Sequence, residues 1–277
     1  MQASTAWTAP GGTLGRLVEE ARGRAGALRG RRSELEQAAA YVVAAPPFGA
    51  ALRRKDVAII AEVKRRSPSK GWIKPGMSAV GQAEAYAAGG AAAVSVLTEP
   101  DHFGGSVVDL TAVRDAVGLP ILKKDFHVDP IQLLEAKAIG ASAALLIVRA
   151  LSPVSLVELV RVADDLKLEV LLEVRDIDEL NRAVDAAAGS DAVTAIGVNN
   201  RNLETLVIDS GRAEELVERI PTRFAAIAES GVSARSDVER VANRHADAVL
   251  VGSAISAADD PCAAVRDLTN VSRRPRA

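Results

Sequence analysis

Short apolar runs recur along the chain, each bounded by polar or glycine-containing segments and each followed by a stretch with helical spacing. VAIIAEV, AAVSVLT, LPILKKD, SAALLIV, LEVLLEV, AIGVNN, FAAIAES and ADAVLVG read as eight strands. The helices between them carry their own start signals. Asp129-Pro130, Ser152-Pro153 and Asp260-Pro261 each put a capping side chain before a proline at the first helical position. Asp176 and Glu179 stand at the spacing of a capping box. Gly89-Gly90, Gly118 and Gly140 mark places where the chain leaves a helix. Strand followed by helix, repeated eight times, predicts an α/β protein with a single (β/α)8 TIM barrel. A doubly wound open sheet is the competing arrangement, weakened by the absence of any G-x-G-x-x-G or G-x-x-x-x-G-K-[ST] loop.

Two amphipathic stretches precede the first strand. One is marked by Leu14, Val18, Ala21, Ala25 and Leu28; the other runs from Ser33 to Val43, with Ser33 and Glu36 at capping-box spacing, and Pro46-Pro47 ends the pair. Residues 1–48 are therefore expected to form a helical extension packed on a barrel of residues 57–269. The polar end, residues 270–277, is expected to be disordered. Lysine and arginine total 34 against 36 acids, a net charge of −2, so a partner bound through bulk charge, such as nucleic acid or an anionic membrane, is not expected. Any anion site must be local. Aromatic residues make up only 3% of the chain, too few for a single-strand stacking surface. Cys262 is the one cysteine, which excludes intrachain disulfides and cysteine-rich zinc sites and suits a reducing cytoplasm. Neither a leader-like N-terminus nor a membrane-length apolar run is present, and a monomer or weak homo-oligomer is expected. His102, His127 and His245 lack metal-ligand spacing and read as loop or surface residues.

In such a barrel the loops after the strands build the active site, so polar residues at strand ends carry the chemistry. The first strand ends in Glu62 and Lys64, which alternation places on the same face as Ile60; Glu173 shares its face with Leu171. Lys123 and Lys124 point to opposite faces, so one enters the barrel and the other makes an ordinary ion pair. Asn199, Asn200 and Arg201 follow the sixth strand. Glu229 ends the seventh, where it also suits a brace between strands. Ser230-Gly231 and Gly252-Ser253 lie after the last two strands, where glycine lets backbone N–H groups approach a phosphate and serine adds a hydroxyl. Ser67 and Arg201 could complete that anion site. Composition and spacing reach a phosphate-binding barrel with a lysine and carboxylate site, and stop there.

The motifs IAEVKRRSPSKG, SVLTEPDHFGGS, LPILKKDF, ALLIV, LLEV, IGVNNRNLETL, AESGVS and VLVGSAI, in this order across residues 57–256, resemble those of the indole-3-glycerol phosphate synthase family of tryptophan biosynthesis. The N-terminal extension also resembles that family's additional helices. The resemblance implies ring closure of 1-(2-carboxyphenylamino)-1-deoxyribulose 5-phosphate with loss of CO2 and water, without metal or organic cofactor. It implies that Lys124 is the catalytic acid, Glu173 the catalytic base, and Lys64 the partner of the aromatic carboxylate, held by Glu62. Asn199 and Glu229 would contact substrate, with Phe103, Phe126, Leu146 and Pro68 as an apolar wall. Ser67, Arg201, Ser230, Gly231, Gly252 and Ser253 would hold the phosphate. Arg149, Arg175 and Ser253 depart from the residues common in the family at their positions. A sugar-phosphate isomerase on a related barrel is the alternative, but it relies on a Cys or Asp pair at the first and sixth strands, where this chain has Glu62 and Asn199. A barrel retained only for binding is disfavoured by the presence of Lys64, Lys124 and Glu173.

Overall fold

Eight parallel strands close on themselves in a computed structural model that describes residues 7–209 and 211–276. The barrel strands are β1 (Ala58–Val63), β4 (Ala93–Leu97), β5 (Ile121–Lys124), β6 (Ala143–Ile147), β7 (Glu169–Val174), β8 (Val193–Asn199), β9 (Ala225–Glu229) and β10 (Ala248–Val251). They are hydrogen-bonded in sequence order, with β1 beside β10 to complete the circle. The remaining two strands, β2 (Arg66–Ser67) and β3 (Gly71–Trp72), form a short antiparallel hairpin above β1.

Side-chain alternation divides each strand between two cores. Ile59, Ala61 and Val63 face outward with Val94, Val96, Leu172 and Val249, against the surrounding helices. Ile60 faces inward with Leu122, Leu145, Leu171, Ile227 and Leu250. The helices α4 (Ala79–Gly89), α5 (Val107–Ala116), α6 (Pro130–Ala138), α7 (Pro153–Leu166), α8 (Ile177–Ala186) and α12 (Pro261–Leu268) are all capped: Ser78, Ser106, Asp129, Ser152, Asp176 and Asp260 each accept a backbone N–H from the first turn. Asp129 and Gln132 form the reciprocal box. Gly90 ends α4 with φ +97, a conformation that costs glycine nothing.

The two ends of the barrel are closed differently. At the N-terminal end the inward positions are small, including Ala58, Ala93, Ala195, Ala225 and Ala248, and the buried Phe48 and Leu52 of α3 (Phe48–Leu52) join their cluster. Glu169 accepts the first N–H groups of α3, from Phe48 at 3.0 Å and Gly49 at 2.7 Å. At the C-terminal end, α1 (Gly12–Leu28) contributes Leu14, Leu17, Val18 and Ala21 to the same inner cluster, which puts the helix over the mouth. Its stripe continues through Ala25 to a contact with Leu35 of α2 (Arg32–Tyr41) and with Ile131 and Leu134 of α6.

Two expectations for the chain ends are corrected. Ser33 does not cap α2: a 3-10 turn, Arg29–Arg31, runs from α1 straight into the helix, leaving no extended residue for a cap, and Glu36 pairs with Arg32 instead. The tail is also ordered through residue 276. Val271 is buried, Ser272 bridges Asp56, and Arg273 and Arg276 both pair with the buried Asp247 at the base of β10. A buried carboxylate needs opposite charge, and the arginine-rich end supplies it.

Candidate active site

Lys124 ends β5 pointing inward, and its ammonium donates to Glu173 Oε2 at 3.1 Å and lies 3.8 Å from Glu229 Oε2. Glu173 ends β7 and Glu229 ends β9, so strand closure alone brings three distant stretches of sequence together. Gly197 makes room for them: on the intervening strand β8, a Cβ at this position would collide with Glu229 Oε1. Across the barrel, Lys64 pairs with Glu62 at the end of β1. Gly252 has a similar spatial role, since a Cβ there would strike both Glu62 Oε1 and Lys64 Nζ.

Burial and charge set the protonation of this group. Burial disfavours the Lys124 ammonium, but the carboxylates of Glu173, Glu229 and Glu62 outweigh it and hold the pKa above that of an ordinary lysine. Glu229 is pushed well above the usual carboxylate range, by burial first and then by the charge of Glu173, with Lys124 opposing. The ammonium of Lys124 therefore persists at neutral pH. Glu173 is 2% exposed and is held by Lys124.

The β9 and β10 loops supply a polar corner on the same side as Lys64. Ser230 and Gly231 both have positive φ, +63 and +83, turning the chain sharply after β9. Ser230 Oγ donates to Asn199 Oδ1 at 2.8 Å, and the same oxygen accepts the Arg201 N–H at 2.9 Å. Gly252 precedes the short helix α11 (Ser253–Ser256). Over this corner hangs the β2–β3 hairpin, where Ser67 Oγ accepts the Lys70 N–H at 3.2 Å and Arg201 Nη1 reaches Ser69 Oγ at 3.3 Å. Burial lowers the pKa of Arg201 from its usual value. The cavity has a volume of about 310 Å³ and an apolar side made by Leu17, Pro68, Phe103, Phe126, Leu145 and Ile147. It is large enough for a small ligand that has one anionic end and one flat apolar end.

The indole-3-glycerol phosphate synthase family model matches residues 14–268, nearly the whole described chain. The chain belongs to the indole-3-glycerol phosphate synthase family. A relative from Streptomyces coelicolor named indole-3-glycerol phosphate synthase 1 is 47% identical over 242 residues, covering 87% of this chain and 88% of the relative. The indole-3-glycerol phosphate synthase of Rhodococcus opacus is 46% identical, covering 85% and 87%. Among solved structures, 3-hexulose-6-phosphate synthase from Salmonella typhimurium superposes with a TM-score of 0.59 at 16% identity, over 76% of this chain and 96% of that one. That likeness shows the barrel fold.

Most residues that the family resemblance singles out meet in the one cavity. Glu62, Lys64, Ser67, Pro68, Phe103, Lys124, Phe126, Asn199, Arg201, Glu229, Ser230, Gly231, Gly252 and Ser253 all line it. Glu173 faces an adjoining cavity of about 150 Å³, which shares Ile147, Asn199, Arg201 and Leu203 with the first. Leu146 is a correction. It faces the outer core, because alternation along β6 sends its neighbours Leu145 and Ile147 inward; these two form the wall. Lys123 also faces outward, in a buried ion pair with Glu135 at 2.7 Å. His127 lies in the loop after β5 and not at the surface: it is buried, donating its Nδ1–H to Leu145 O at 2.7 Å, and burial, followed by the charge of Lys123, lowers its pKa to about 3. Leu17, Leu203, Leu206 and Ile208 line the cavity without having been singled out. Leu17 carried a signal in its spacing of three from Leu14, whereas the β8 loop residues have no periodicity to betray them. Arg149 pairs with Glu204 at 2.8 Å, and Arg175 lines the smaller cavity.

Among the described residues, no helix is long and apolar enough to cross a membrane. His102 comes close to Glu20 and Glu99. The Glu99 carboxylate is taken up by the N–H groups of Asp101, His102 and Phe103 and by Arg24, so this grouping serves the loop after β4.

Proposed function

We propose that this chain closes the indole ring, converting 1-(2-carboxyphenylamino)-1-deoxyribulose 5-phosphate to indole-3-glycerol phosphate with release of CO2 and water. The observation that carries the assignment of roles is the inward Lys124 ammonium held between the carboxyl groups of Glu173 and Glu229 at the floor of a cavity with one apolar and one polar side. The substrate has the matching shape: an aryl ring at one end and a phosphate at the other.

The aryl ring lies against Phe103, Phe126, Leu145, Ile147 and Pro68, and the phosphate against the Ser230-Gly231 and Gly252-Ser253 turns, with Ser67 and Arg201. Lys64 faces the aryl carboxylate, its charge fixed in direction by Glu62. Attack of the carboxylate-bearing ring carbon on the ketone builds negative charge on the ketone oxygen. Lys124 donates a proton there, and a positioned ammonium favours that transition state over the bound ketone. The C–C bond to the carboxylate then breaks, CO2 leaves, and its electron pair restores the aromatic ring. Loss of the new hydroxyl as water needs a second proton donor, which Lys64 can supply, while Glu173 removes the proton whose loss completes the pyrrole ring. Asn199 and Glu229 supply hydrogen bonds to the sugar hydroxyls.

The expected setting is a monomer or weak homo-oligomer acting on a small metabolite in the cytoplasm. The test is to incubate the protein with the carboxyphenylamino sugar phosphate and follow indole fluorescence together with CO2. Stoichiometric appearance of both supports the assignment; turnover of the sugar without CO2 would point to an isomerase instead.

A further inference from the structure

Two phenyl rings form one side of the apolar wall, and each is held by a different buried carboxylate. The ring centroids of Phe103 and Phe126 are 6.1 Å apart, inclined at 41°. Glu99, fully buried after β4, accepts the backbone N–H groups of Asp101 at 3.1 Å, His102 at 2.8 Å and Phe103 at 3.0 Å, so it fixes the turn that carries Phe103. Asp125, the residue after Lys124, accepts the Phe126 N–H at 2.8 Å and the Thr98 hydroxyl at 2.6 Å. Both carboxylates are met by one side chain from the helix over the mouth. Arg24 Nη2 lies 3.0 Å from Asp125 Oδ1, and Nη1 lies 3.6 Å from Glu99 Oε1. Arg24 does not line the cavity, although Leu17 of the same helix does.

We infer that Arg24 is a positioning residue for the aryl subsite: by bridging Glu99 and Asp125 it sets the spacing of Phe103 and Phe126 and seats α1 against the loop that follows Lys124. The inference rests on the reading of the cavity given above. Without the guanidinium, two buried negative groups face each other with one positive partner fewer, and the loops after β4 and β5 move apart. The fork geometry matters, because two carboxylates are served by two nitrogens of one planar group. A lysine could reach only one of them. Glu20 adds a second link from α1 to the same loop, with His102 Nε2 at 2.8 Å from its carboxylate, so the helix remains tethered when Arg24 is replaced.

The role separates ligands by whether they carry the ring. Three probes serve: indole-3-glycerol phosphate, the non-cyclising amino alcohol obtained by reducing the substrate ketone, and inorganic phosphate. In Arg24→Met the two aryl ligands are expected to bind on the order of tenfold to a hundredfold more weakly, the scale of a small misplacement in a site. Inorganic phosphate, held at the distant β9 and β10 loops, should stay within about twofold of wild type, as independent sites do. Arg24→Lys should fall between, with phosphate again unchanged, and it carries the test if the methionine variant proves unfolded by circular dichroism. Unchanged aryl affinity in the folded methionine variant, or in the lysine variant where that one carries the test, would overturn the positioning role, and so would an equal loss for phosphate. If wild type bound phosphate but neither aryl ligand, the reading of the cavity would fall and this inference with it; if wild type bound all three, only the role of Arg24 would be at stake.

Discussion

Lys124 Nζ and Glu173 Oε2, 3.1 Å apart, come from strands separated in sequence by 49 residues and by β6 in the barrel wall. The contact places the proposed acid and the proposed base within one proton's reach of each other. Glu173 favours the charged form of Lys124, and in the proposed mechanism it is freed to accept a proton once Lys124 has given its own away. Replacement of Glu173 by glutamine keeps the shape but removes the base. Turnover should fall about 10²–10⁴-fold, with a species preceding the indole accumulating in rapid-quench samples. Wild-type turnover in this variant would exclude Glu173 as the base.

Gly252 and Gly231 are expected to fail differently when replaced by alanine. At Gly252 the added methyl strikes Glu62 and Lys64, so kcat should drop by about tenfold or more as the ion pair is displaced. At Gly231 nothing in the structure lies closer than 3.8 Å, but φ is +83, and the strain should cost about 1–2 kcal/mol of stability with a milder kinetic effect. Steady-state kinetics and urea unfolding of the two variants side by side separate a steric effect from a backbone one.

Glu179, buried in the smaller cavity, has its pKa raised to about 7 from 4.5, by burial first and then by Asp176. The folded state therefore holds this proton more tightly than the unfolded chain, and the associated stability is lost as pH rises from about 4.5 through 7. Glu179→Gln removes the titration while still accepting the Arg175 N–H. The variant should be more stable than wild type at pH 8, by at most about 3 kcal/mol, with the two converging as pH falls toward 4.5. Denaturant midpoints across that range check the sign.

Removing residues 271–277 should strip Asp247 of both arginine partners and weaken the barrel by about 3–5 kcal/mol, the usual cost of breaking a buried ion pair. Because Asp247 sits at the end of the barrel opposite the cavity, kcat and KM at 25 °C should not change. A truncated protein with an unaltered unfolding midpoint would show that the tail contacts carry no weight.

The barrel was legible because buried parallel strands and capped helices leave local traces: Ile60 and Glu62 on one face, Asp129 before Pro130. Alternation also forces Lys123 and Lys124 apart, so that only one of them enters the barrel, and the choice of Lys124 as the proposed acid came from the family resemblance. Leu146 shows the limit of motif matching without register. It belongs to the right strand and the wrong face, one residue from both Leu145 and Ile147. Arg24 left no trace at all, because an arginine beside an apolar helical stripe looks like a solvated charge until the partners, Glu99 and Asp125, are brought to it by strands far along the chain. The tail misled for the opposite reason. Its arginines and prolines have the composition of a disordered end, and only the buried Asp247 gives them something to bind.

The central claim is that the inward lysine at the end of β5 supplies the proton for ring closure, and Lys124→Met tests it most directly. With the carboxyphenylamino sugar phosphate in excess, the initial rate of indole fluorescence should fall about 10²–10⁴-fold, while the affinity for indole-3-glycerol phosphate stays within about threefold of wild type. A folded Lys124→Met protein that forms indole at close to the wild-type rate would contradict the account.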